Sequence, residues 1–388
     1  MCAIISPQLP LPRHHPHQSP FADADFAPLL KYDLFNATAW AELFVRAGAK
    51  YTVFLTKHHD GFTMWPSDKH FQWNSVDVGP RRDVTGEVSA AVKAAGLHSG
   101  LYHSLFEWLN PLFLEDQANN FTTRNFAINT MSELKDLVTR YQPEVIWSDG
   151  DWPAGDSYWQ APEDFLAWLA NDSPVKDTVV WNDRWGKGDG CKHGSYFTCS
   201  DRYNPGSLQN RKWENAMTLD YFSWGYRRNA AAGDYMPLNE LLLELVSTIA
   251  YGGNLLINVG PALDGTIPVV MESRLLALGA WLAVNGEGVY GTAPWRAQND
   301  TVAATYYVKK GATVYAHFRA WPVGGVLRLS APAPGAGATA ALLAAGGALP
   351  VQVAAAGSGV ALTLPPYAPN LAGTGSDVAW VVRLVGFT

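Results

Sequence analysis

A chain of 388 residues is longer than one small domain needs and suits a barrel of about 250 residues with a smaller module beside it. A net charge of -7 with 16% charged residues leaves no basic stripe, so nucleic acid is excluded as a natural partner, and no run of roughly 18 apolar residues suggests a membrane span. Three cysteines, Cys2, Cys191 and Cys199, are too few for a disulfide framework, although the last two could close one short loop in an oxidising compartment.

Met1 to Pro20 is rich in Pro and His, lacks the continuous apolar region of a secretory signal, and reads as an irregular segment, 1–20. From residue 36 helix and strand patterns alternate, which argues for a parallel α/β architecture. Trp40, Leu43, Phe44 and Ala47 mark one helical face that Asn36 or Thr38 can cap and Gly48 can end, and the strand Tyr51–Leu55 follows. Val84, Val88, Ala91, Val92 and Ala95 form the next stripe, before a strand at Gly100–His103. Leu134, Leu137, Val138 and Tyr141 precede a break at Pro143 and the strand Val145–Asp149. Phe165, Leu166, Trp168 and Leu169 lead to Val179–Trp181, with further strands expected at Tyr196–Thr198, Tyr221–Phe222 and Leu255–Asn258, the last after a leucine-rich helix from Leu238 to Ile249. These are seven strands where a closed barrel needs about eight, and the absent one is the first. The expected organisation is therefore α/β: a (β/α)8-like barrel over 21–295 without its first strand, then a C-terminal antiparallel β-sandwich over 296–388. The sandwich rests on the alternation in Val302–Val308 and Thr313–Phe318.

The chemistry-bearing motifs fall at strand ends. Val145-Ile146-Trp147-Ser148-Asp149-Gly150-Asp151-Trp152 is an apolar strand ending in two carboxylates around a glycine, flanked by tryptophans. A carboxylate just past a barrel strand points into the mouth where catalysis occurs, which makes Asp149 a candidate nucleophile; a helix cap or Asx-turn is the ordinary alternative. Lys57-His58-His59-Asp60-Gly61-Phe62 sits at the same barrel end. Adjacent histidines can bind metal, but the usual ligand spacings and a third Cys or His are missing, so neutral imidazoles donating to sugar hydroxyls suit them better, the alternative being rings satisfied by backbone carbonyls. Arg184, in Trp181-Asn182-Asp183-Arg184-Trp185-Gly186, can hold a carboxylate or a sugar oxygen, or form a surface ion pair. Ser200-Asp201-Arg202-Tyr203 supplies another strand-end carboxylate, and Lys212-Trp213-Glu214-Asn215 lies a short loop later. Two carboxyl groups are what glycoside hydrolysis needs, about 5–5.5 Å apart for retention and about 6.5–9.5 Å for inversion. Sixteen tryptophans fit that substrate class, since aromatic faces stack on sugars, although most serve the core.

Together with Gly100-Leu101-Tyr102-His103-Ser104-Leu105-Phe106-Glu107-Trp108, Ser223-Trp224-Gly225-Tyr226, Gly252-Gly253-Asn254-Leu255-Leu256-Ile257-Asn258-Val259-Gly260-Pro261 and Asn285-Gly286-Glu287, these motifs resemble the α-L-fucosidases of glycoside hydrolase family 29, from about Phe21 to the C-terminus. The resemblance implies a barrel with a C-terminal β-sandwich, no metal or organic cofactor, and removal of terminal α-linked L-fucose from oligosaccharides or glycoprotein glycans with retention of configuration. It places the nucleophile at Asp149, the acid/base at Asp201 with Glu214 as rival, and fucose contacts at His58, His59, Arg184 and Trp224, with Tyr102 or His103 adding a hydroxyl contact. Two departures stand out: Ala216 occupies a position where the family commonly has cysteine, and the family's opening strand with its His-Trp-Gly motif and the following Trp/Glu segment do not appear. The alternative is thus a truncated, fucose-binding chain with weak or no catalysis. The resemblance, with sequons at Asn36, Asn120, Asn299 and, before Pro174, Asn171, implies a secreted or lysosomal/vacuolar glycoprotein. A homo-oligomer is compatible with the sequence.

Overall fold

The computed structural model describes residues 26–374 and 378–388 and, as main chain alone, the strand at residues 2–5. The first domain alternates β1 (Cys2–Ile5), α1 (Ala37–Arg46), β2 (Tyr51–Lys57), α2 (Val84–Ala94), β3 (His98–Ser104), α3 (Pro111–Ala118), α4 (Asn125–Tyr141), β4 (Val145–Asp149), α5 (Asp156–Trp159), α6 (Ala167–Asn171), β5 (Val180–Trp181), β6 (Trp213–Thr218), α7 (Leu238–Ala250), β7 (Gly253–Val259) and α8 (Val269–Asn285). Local chemistry explains the helix ends: Asn36 Oδ1 accepts from Ala39 N at 3.0 Å to start α1, and Asp83 Oδ1 accepts from Gly86 N at 2.9 Å to start α2. The apolar face Trp40, Ala41, Leu43 and Phe44 of α1 is buried, with α2 and α8 packed beside the helix.

The strands form one parallel sheet in the order β5-β4-β3-β2-β1-β7-β6. The expectation of a missing first strand is corrected here. Cys2–Ile5 pairs in parallel with Tyr51–Phe54 on one side and with Leu256–Val259 on the other, so the slot between β2 and β7 is filled from the chain's own start. The remainder of the expected irregular segment, residues 6–20, lies outside the described residues. Between β5 and β6 a short extended segment replaces a regular strand. Ser195 N donates to Trp181 O at 2.9 Å, Phe197 N to Lys212 O at 3.0 Å and Glu214 N to Phe197 O at 2.8 Å, which closes the circuit. The strand expected at Tyr221–Phe222 is instead a turn, and its place in the sheet belongs to Trp213–Thr218, a stretch to which no strand had been assigned.

Alternation along each strand separates two apolar regions. Val53, Leu55, Tyr102, Val145, Trp147, Ala216 and Leu256 fill the barrel interior, while Phe54, Leu101, Ile146, Leu255 and Ile257 face the helices. The second domain is an antiparallel sheet running from β8 (Ala293–Asn299) through β9 (Thr305–Lys310), β10 (Thr313–Phe318), β11 (Val326–Leu329), β12 (Pro334–Leu342), β13 (Leu349–Ala356) and β14 (Gly359–Thr363) to β15 (Trp380–Phe387), in the order β11-β14-β13-β12-β15-β10-β9-β8. Residues from distant parts of that order, such as Leu362 of β14 and Val314 of β10, share one core, as in a β-sandwich. It is tied to α8 through Trp281 Nε1, which donates to Ala379 O at 3.0 Å. Among the described residues no helix is long and apolar enough to cross a membrane.

Candidate active site

A cavity of about 770 Å³ opens at the C-terminal ends of the barrel strands, lined by residues that include His58, His59, Tyr102, Asp149, Arg184, Asp201 and Trp224. Asp149 is the last residue of β4, in the inward register of Val145 and Trp147. Gly150 then turns the chain with φ +74°, and a Cβ there would meet Phe106 Cδ1 at 2.6 Å, so only glycine fits behind that carboxylate. Tyr102 OH donates to Asp149 Oδ2 at 2.7 Å and Arg184 Nη1 to Asp149 Oδ1 at 3.0 Å.

The same Nη1 donates to Asp201 Oδ1 at 2.8 Å. The two oxygens that share this donor therefore lie close together, which is compatible with the about 5–5.5 Å between carboxyl groups that retention needs. Arg184 is well fixed: its Nε donates to Thr198 Oγ1 at 3.0 Å, and its guanidinium lies 4.6 Å from the Trp147 ring centroid. Thr198 is held in turn by Asp183, whose carboxylate also accepts from the main-chain N of Cys191 and Cys199, the two halves of a disulfide at the cavity rim. The Asp149 and Arg184 carboxylate–guanidinium contact is thus anchored through Thr198 and Asp183 to the main chain of the segment between β5 and β6.

His58 and His59 lie 3.9 Å apart between ring centroids, tilted by 42°. Burial, reinforced for His59 by Lys57 and Arg184, pushes His59 down to about 3 and holds His58 well below the usual imidazole range, so both are neutral near pH 7. Ser104 Oγ donates to Phe106 O at 2.7 Å and therefore accepts from His59 Nδ1 at 2.6 Å. That leaves His59 Nε2 as an acceptor, 3.8 Å from Asp149 Oδ2, the reverse of the donor role expected from sequence.

Two expected site residues are elsewhere. His103 alternates with Tyr102 and faces the helices, 3.6 Å from Glu133, fully buried and outside the cavity. Glu214 is the second residue of β6, deep in the barrel, where it accepts from Trp147 Nε1 at 2.8 Å and from Tyr51 OH. Desolvation pushes its carboxyl up to about 7, a value suited to an acid/base, but it is 2% exposed and does not line the cavity, whereas half of the Asp201 side chain is exposed and does. Access to the reacting atoms comes before protonation state, so geometry favours Asp201.

The cavity also includes Trp108, Trp147, Asp151, Trp152, Phe222 and Asn258. Burial and the neighbouring Asp149 push Asp151 up to about 7. Asn258 was legible as a polar residue in the inward register of Leu256 at a strand end; Phe222 carried no signal. Behind the cavity wall, Lys57 Nζ lies 2.6 Å from Glu107 and 2.9 Å from Glu133, and His70 contacts both carboxylates. His70, Glu107 and Glu133 have donor atoms within 4.8 Å of one another, as a metal would need, but the Lys57 ammonium already supplies the cation there.

Comparison with known proteins places this geometry. Residues 12–287 match the family model described as alpha-L-fucosidase. The chain is 53% identical over 350 residues to the plasma alpha-L-fucosidase of Rattus norvegicus, covering 89% of this chain and 76% of that one. It is 45% identical over 368 residues to the tissue alpha-L-fucosidase of Homo sapiens, covering 94% and 78%. A Thermotoga maritima alpha-fucosidase solved with a mechanism-based inhibitor superposes with a TM-score of 0.79 at 30% identity, covering 95% of this chain and 83% of that one.

Proposed function

Because the chain belongs to the α-L-fucosidase family, we propose that it removes terminal α-L-fucose from oligosaccharides or glycoprotein glycans by double displacement at the Asp149–Arg184–Asp201 constellation. The observation that carries this reading is the single guanidinium nitrogen bridging two carboxylates in an aromatic-lined cavity. Asp149, oriented by Tyr102 and Arg184, attacks the anomeric carbon and forms a fucosyl ester. Asp201, on the open side, protonates the leaving oxygen, then takes a proton from the water that releases fucose. His59 Nε2 accepts from a fucose hydroxyl, and His58, Tyr102 and Trp224 complete the pocket. The rim disulfide and the exposed sequon residues Asn36, Asn120, Asn171 and Asn299 favour a secreted or lysosomal glycoprotein.

Substitution at Asp149 tests this directly. Asp149→Asn lowers turnover of an aryl α-L-fucoside by about 10³-fold or more, because the amide cannot form the ester. Azide restores part of the activity to Asp149→Gly by attacking from the vacated face, and the product is the β-linked fucosyl azide. An Asp149→Asn protein with near-parental turnover overturns the assignment.

A further inference from the structure

The cavity has two zones. His59, Tyr102, Asp149 and Asn258 occupy the buried floor, with His58 half-buried beside them. Asp201 lies in the outer zone together with two large aromatic side chains that water still reaches, Trp152 at 50% and Phe222 at 68% exposure. Isolated exposed aromatics are ordinary on a protein surface. These two differ in being held in place. The Trp152 ring stands edge-on against His59 at 5.2 Å and Phe106 at 5.4 Å, leaving its other side to the cavity.

Phe222 is fixed more firmly. Its main-chain N donates to Asp220 Oδ1 at 2.9 Å, and Asp220 takes two further bonds from Arg227, whose guanidinium sits 5.2 Å from the Phe222 centroid. Asp234 accepts from Arg227 as well, at 2.9 Å. One face of the ring is therefore backed by a locked cation, and ordering it on binding costs little side-chain entropy.

We propose that Trp152 and Phe222 form the subsite for the sugar that carries the fucose, a pyranose whose apolar face lies on these rings while its glycosidic oxygen meets Asp201. The inference rests on the hydrolase reading above and adds the side of the bond on which that reading is silent. The occupant is a sugar because the zone is continuous with the fucose pocket and contains the proposed proton donor, which must touch the leaving oxygen. Each ring is expected to account for up to about tenfold in kcat/KM, which is about 1.4 kcal/mol.

The test compares two substrates with the same fucosyl group. 2′-Fucosyllactose fills the outer zone, whereas α-L-fucosyl fluoride leaves it empty. Phe222→Ala lowers kcat/KM on 2′-fucosyllactose by about tenfold more than on the fluoride, mainly through KM, and Phe222→Trp restores it. Trp152→Leu shows the same sign with a larger loss on the fluoride, since it also touches His59. Equal losses on the two substrates, or no extra loss on 2′-fucosyllactose, overturn the subsite while leaving the hydrolase reading intact. A parent protein that turns over neither substrate overturns both.

Discussion

Arg184 bonds both Asp149 and Asp201 through one nitrogen, which holds those two carboxylates close together. Asp201 and Glu214 are then separable by leaving-group dependence. Loss of the acid harms substrates with poor leaving groups far more than activated aryl fucosides, because only the former require protonation. Asp201→Ala is expected to lower kcat on 2′-fucosyllactose by about 10²-fold or more while sparing a nitrophenyl fucoside by comparison. Glu214→Ala is expected to lower both alike, through loss of the acceptor that anchors Trp147 Nε1. The opposite pattern would transfer the role to Glu214. At this scale the sequence was partly legible. Strand-end Asp149 and Arg184 were visible from pattern, and alternation alone requires Tyr102 and His103 to face opposite ways. What alternation did not show was that Trp213–Thr218 is a strand, so Glu214 stood as a rival acid/base when it is part of the barrel interior.

A register shift in β2 links this chemistry to the scaffold. Leu55 pairs with Tyr102, but Lys57 pairs with His103, so the chain has one extra residue at Thr56 and Lys57 turns outward towards the helices. There it meets Glu107 and Glu133, 50 and 76 residues away in sequence, which is why no local pattern announced the cluster. The cluster anchors the start of the loop carrying His58 and His59. Its second cation is His70: although burial opposes charge, Glu133 and Glu107 raise its imidazole to about 9. The folded pKa lies above the unfolded one, near 6.5, so the stabilisation is fully present below about pH 6.5 and is lost as pH rises through about 9. Melting temperature measured from pH 6 to 10 should therefore fall across that window. In His70→Gln, whatever its starting stability, the slope should flatten; an unaltered slope would place the titrating group elsewhere.

The barrel as a whole is closed by two short staves. One is the extended stretch at residues 195–198, the other is Cys2–Ile5. The helical stripes and longer strands made a barrel with a C-terminal β domain legible, because many residues repeat the same period. Four apolar residues followed by Pro7 and Pro10 are too short a run to show a period, and so the segment read as filler. Yet its main chain lies between β2 and β7, where an empty slot would leave the donors and acceptors of both neighbours unpaired, each at a cost of about 1–3 kcal/mol. Proline tests that role, since it removes a ladder N–H and is not tolerated inside a sheet. Ile4 is in register with Val53 and Asn258, and Asn258 lines the catalytic cavity. Ile4→Pro is expected to lower the melting temperature by at least about 5 °C. Hydrogen exchange should quicken in Tyr51–Lys57 and Gly253–Val259 and stay unchanged in β9 and β10, and fucoside turnover should fall with it. A variant that melts and exchanges like the parent would mean that β2 and β7 hold the barrel without β1.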